Sequence, residues 1–226
     1  MGLLSAIGNI VSTAVSFVSG AISSIGASIG GFAKTVLGIM EKLPFPGLQI
    51  AAKFIHSVVN VLGIRSEDDP EVLGAKAVQS DKSIDDFDNN TEDYINYLRN
   101  EVELDKERFG KMTTEERRGC KAIGMTIETK AIEENIGGIS ISPECLATIA
   151  KIQNSGIKLD PDRLVNVVTS LKESGVTNLN DVVECLEGKG NSDRLKTSEA
   201  LSNALGGNAS NKILDLQDAV RKYEED

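Results

Sequence analysis

Apolar side chains recur at steps of three and four from the start of the chain. Leu4, Ile7, Val11, Ala14, Val18, Ile22, Ile25, Ile29, Phe32, Val36, Ile39 and Leu43 fall on one stripe of an α-helix. The only departure is a 4-4 step, Ala14–Val18–Ile22, which is a stutter. Gly8, Ser12, Ser16, Ser19, Gly20, Ser23 and Ala27 gather opposite the stripe, and no ionisable side chain occurs before Lys34. The pattern predicts an amphipathic helix over about Leu3–Leu43, roughly 60 Å long, bending most easily at Gly30–Gly31. Pro44-Phe45-Pro46-Gly47 ends it, because two prolines remove donors and bar the preceding residues from the helical region. A second apolar helix, Leu48–Ile64, completes a helical hairpin over residues 1–64.

The pattern changes at Ser66-Glu67-Asp68-Asp69-Pro70. Residues 65–90 read as an acidic, turn-rich linker with a short helix near Glu71–Gln79. Residues 91–226 read as a soluble domain of capped helices. Thr91 is the expected cap of a helix that runs through Phe109 to Gly110, and Thr113-Thr114-Glu115-Glu116 opens another that ends at Gly137-Gly138. Ser142-Pro143 and Asp160-Pro161 each place a cap and a proline ahead of a helix closed by glycine, at Gly156 and Gly175. Asn178–Glu187, Ser192–Leu205 and Ser210–Glu224 are the last three helices, and Ile139–Ile141 is the only strand-like fragment. The predicted fold class is all-α: an N-terminal hydrophobic helical hairpin followed by a multi-helix acidic bundle domain.

Charge sharpens the division. Residues 1–64 carry net +2, residues 65–110 net −8 and the remainder net −4. An acidic chain of net charge −10 lacks the clustered Lys and Arg that displace counterions from phosphates, so no nucleic acid is expected as a partner. Cys120, Cys145 and Cys185 are widely spaced with no C-x-x-C pair, as expected of buried, reduced core thiols. His56 is the one imidazole and sits in an apolar helix, so a packing or surface role outweighs that of a general base. Glu133/Glu134 and Asp181/Glu184 are the nearest thing to paired carboxylates, and on helix faces they read as solvated charges. Asp81, Ser83, Asp85, Phe87, Asn89 and Glu92 match the ligand spacing of a calcium loop, but Asp86 stands where the turn needs glycine. No enzyme, cofactor or metal site is therefore expected. The N-terminus lacks the basic region of a standard secretory signal, and Ala6 departs from the Ser or Thr of a myristoylation motif after Gly2.

The functional expectation rests on the N-terminal stripe. Its opposite face lacks the Lys and Glu that solubilise an exposed helix, and small residues such as Gly26 and Gly30 permit close helix approach in lipid. Leu4, Ile7, Val11, Val18, Ile22, Ile25, Ile29, Phe32, Val36 and Ile39 are the candidate membrane or self-association residues. Eight Ser/Thr residues in the first 33 dilute the stretch, which fits conditional insertion better than a resident anchor. The expected role is non-enzymatic penetration, pore formation or delivery, with lipid or further copies of the chain as partners. The acidic domain would dock a protein. The alternative is an assembly protein whose first helix forms a homo-oligomeric coiled coil in a larger particle; either role places the chain at a membrane or in a particle. In composition, the Gly/Ser/Ala/Ile-rich segment Met1–Leu43 ahead of a capped helical domain resembles membrane-penetration and ejection proteins of viruses and phages. It is also similar to tail tape-measure and injection-machine translocator segments.

Overall fold

The computed structural model describes residues 13–64, 68–189 and 194–223, whose regular structure is helical, with no strand among them. The elements are α1 (13–20), α2 (Ile22–Ile25), α3 (Ala27–Met40), α4 (Gly47–Val61), α5 (Pro70–Gln79) and α6 (Thr91–Asn100). They continue as α7 (Lys106–Lys111), α8 (Thr114–Ile136), α9 (Pro143–Asn154), α10 (Pro161–Glu173), α11 (Leu179–Glu187), α12 (Arg194–Leu205) and α13 (Ala209–Arg221). A 3-10 turn, Ile84–Phe87, separates α5 from α6.

Helix α8 is the axis. Thr113 and Glu116 close a reciprocal capping box at its start, and Gly137, at φ +69°, ends it. Every residue from Gly119 to Thr129, apart from the half-buried Lys121, is buried, so the middle of the helix is covered on all sides. Helices α3, α4, α5 and α6 supply that cover. The approach of α5 is closest, because a Cβ on Gly74 would overlap the Cys120 carbonyl and one on Gly124 the Pro70 carbonyl. Helix α4 also lies on α9 and α10, and so joins α8 to the group formed by α9–α13. One apolar core runs without interruption from Ala14 to Val220.

That core crosses the boundaries expected at residues 64 and 91. Within the stretch read as a linker, the expected short helix is present as α5, but its Leu73, Ala75 and Ala77 are buried in the shared core or against it. The long first helix is also divided. A turn interrupts it at Ala21, and it breaks at Gly26 (φ +86°) rather than bending at Gly30–Gly31. Ile84 lies where a Gly26 side chain would be, and the positive φ also favours glycine, so both the space and the backbone require a residue without Cβ there. Gly30 stays helical and receives the side chain of Ile22.

Asn90, not Thr91, caps α6, accepting from the Asp93 amide at 3.0 Å. The Thr91 hydroxyl and amide both donate to Glu134 instead. The helix expected to continue to Phe109 ends at Asn100, and Asp105 caps a new one. The remaining punctuation matches the pattern: Ser142 and Asp160 cap α9 and α10 ahead of their prolines, and Gly156 and Gly175 close them with positive φ. The Ile139–Ile141 fragment makes one parallel bridge, Ser140 to Asn178.

Candidate functional site

Leu4, Ile7 and Val11 lie outside the described residues. The rest of the stripe faces inward. Val18, Ile25, Ile29 and Val36 are buried, and Ile22, Phe32 and Ile39 are half-buried. Phe17 lies over Gly119 of α8, where a Cβ would meet its ring at 2.5 Å. The Lys130 ammonium of α8 sits 5.2 Å from the centre of the Phe32 ring. Glu41, at the end of α3, pairs with Arg118 at 3.2 Å, and its burial raises its pKa more than Arg118 lowers it. The outward face carries Ser16, Ser19, Ser23, Ala27, Ser28 and Gly31, all exposed. Among the described residues up to Met40, Lys34 is the only ionisable side chain. No helix among the described residues is long and apolar enough to cross a membrane as folded.

His56 of α4 meets Glu128 of α8, Nδ1 to Oε1 at 2.7 Å. Glu128 is fully buried and the His56 side chain one-quarter exposed. The hydrogen bond to Glu128 holds the imidazole pKa above its ordinary value against the opposing effect of burial. This pair links α4 to the axis of the fold, and His56 has a packing role with a specific partner. Glu128 escapes a sequence reading because it looks like one more polar residue in Met125-Thr126-Ile127-Glu128-Thr129. The nominated carboxylates turn to local tasks. Glu133 accepts from the Ile141 amide at 2.6 Å, Glu134 from Thr91, and Glu184 from the Asn180 side chain at 3.3 Å.

The acidic loop is used in the same way. Asp81 accepts from the Tyr97 hydroxyl at 2.5 Å, and Asp86 from the Ser83 amide at 2.7 Å. Among the described residues, no three His, Cys, Asp or Glu side chains converge as metal ligands would. Cys120, Cys145 and Cys185 are free and buried, and burial pushes the first two thiols up to about 12.

The sequence gives no hint of a cavity, yet one of about 640 Å³ lies where α4 and the end of α8 meet α9–α13. Its walls are aliphatic, with Ile55, Ile132, Ile149, Val168, Val183 and Leu201 among them, and no aromatic ring lines it. Arg163 and Lys212 stand at its edge and both donate to the Leu205 carbonyl, at 3.4 and 2.8 Å. Compared with protein-family models, with curated proteins and with solved structures, the chain matches none.

Proposed function

We propose that this is a non-enzymatic, membrane-active protein that keeps its apolar stripe folded against α8 and transfers it to lipid on release. Penetration, pore formation and delivery all use that step. The observation that carries the reading is the uncharged outer face of residues 13–40, made of Ser, Thr, Ala and Gly. A helix that stays in water ordinarily presents Lys and Glu outward. This one presents groups that can line a wet lumen or touch a neighbouring backbone at small cost.

Release has a definite energetic form. Each buried stripe residue forfeits about 1.5–3 kcal/mol on exposure to water, so the stripe leaves the core only where hydrocarbon or another helix re-buries it. The breaks at Ala21 and Gly26 keep the folded helices short. With those breaks closed, residues 13–40 would form a helix of about 42 Å, longer than the roughly 30 Å hydrocarbon core. The scarcity of Lys and Arg on this face implies that anionic lipid is not the attractant. The acidic remainder of the chain is the part suited to docking a protein partner.

Replacing Ser16 and Ser23 by Lys tests the reading, since both are exposed in the folded chain. The double variant is expected to fold and melt like the parent while its leakage of dye from liposomes falls at least tenfold, because like charges would crowd a lumen or close contact. Undiminished leakage contradicts the pore. A defined soluble oligomer with no lipid effect supports the assembly role instead.

A further inference from the structure

We propose that the cavity between α4, the end of α8 and α9–α13 binds a single-chain aliphatic carboxylate, a long-chain fatty acid. The volume of about 640 Å³ is within the range of small-molecule sites and well above that of a packing defect. The walls choose the ligand's body. They are branched aliphatic side chains with no ring to stack on a flat aromatic molecule, so they suit a flexible chain.

The edge chooses its head. Arg163 from the start of α10 and Lys212 from the start of α13 converge on one acceptor, the carbonyl of Leu205 that ends α12. Arg163 is exposed and Lys212 half-buried, so the two cations mark the solvent edge of an otherwise apolar space. Each side chain donates to that neutral carbonyl. Asp160, Asp215 and Asp218 also border the cavity, but Lys158 and Lys222 accompany the other two cations there. The border therefore carries a small positive excess on a chain of net charge −10. A carboxylate between Arg163 and Lys212 would exchange one shared neutral acceptor for an anionic one, with the chain directed inward. This assignment is independent of membrane activity, because it uses none of the N-terminal stripe.

The test uses the full chain without liposomes. Binding of cis-parinaric acid is followed by its fluorescence below its aggregation concentration, with palmitic acid and methyl palmitate as competitors. Palmitic acid is expected to compete at least tenfold better than its ester. Arg163→Glu/Lys212→Glu should bring the two competitors level in a protein that still melts cooperatively, because the reversal removes the cations at the edge and leaves the apolar walls in place. Shortening the acid from sixteen to twelve carbons should weaken it at least tenfold, as each methylene is worth roughly a factor of four when fully buried. Val168→Phe, which projects a ring into the space from a buried wall position, should weaken binding at least tenfold in a protein that still melts cooperatively. Equal competition by acid and ester in the parent would overturn the carboxylate assignment. Absence of probe binding, or binding unchanged in Val168→Phe, would overturn the cavity as the site.

Discussion

Glu128 is a carboxylate in the middle of the helix that every neighbouring element covers, and His56 reaches it from α4. The pairing raises the imidazole pKa in the folded chain above its ordinary 6.5. A raised histidine pKa contributes stability that is fully present below pH 6.5 and is lost as pH rises through the folded value. The melting temperature of the parent should therefore decline from about pH 6.5 upward, relative to Glu128→Gln, in which the slope disappears. Parallel curves for the two proteins would contradict the pairing. His56→Ala should cost roughly 2–3 kcal/mol, because the buried carboxylate loses its cationic partner. In the sequence, the apolar surroundings of His56 were readable, but the partner was not. The two residues are 72 positions apart, and no local pattern connects them.

Among the elements, the contact of α5 with α8 is the most demanding. Gly74 and Gly124 allow backbone to approach backbone, so Gly74→Ala must push the helices apart at a cost of about 3 kcal/mol. Gly38, inside α3 with open space around its Cα, gives the control: Gly38→Ala should stabilise by about 0.5–1 kcal/mol. The urea midpoints of the two variants, compared at unchanged slope, should move in opposite directions. Equal midpoints would show that the crossing is looser than described. Helix starts and stops were legible where the signal is local. Thr113 with Glu116, Ser142 with Pro143 and Asp160 with Pro161 carry their caps within four residues. The break at Gly26 was not legible, because Gly26 looks like the other glycines of the N-terminal segment and its neighbour Ile84 is brought there by the tertiary fold. Thr91 misled for the same reason: its hydroxyl serves Glu134, and Asn90 beside it takes the cap.

For the molecule as a whole, the stripe that dominates the sequence is also part of its core. Periodicity identified which residues of 13–40 share a face, and the structure turns that face toward α8 and α9. Periodicity has no term for what the face packs against, and the composition break at Ser66 does not coincide with a gap in the core. The cavity was equally invisible, since its wall is assembled from residues of seven helices and the loops between them.

Under the proposed function, the stripe must leave α8 to act on lipid. The direct measurement is dye release from liposomes by Glu41→Cys/Arg118→Cys, which replaces two facing residues whose side chains meet at 3.2 Å between Oε1 and Nη2. A short bismaleimide joins them selectively, because Cys120, Cys145 and Cys185 are buried. The open variant should release dye as the parent does, and the closed one should release none while remaining folded. Equal release from the closed and open forms, or no release from the parent, would contradict the account.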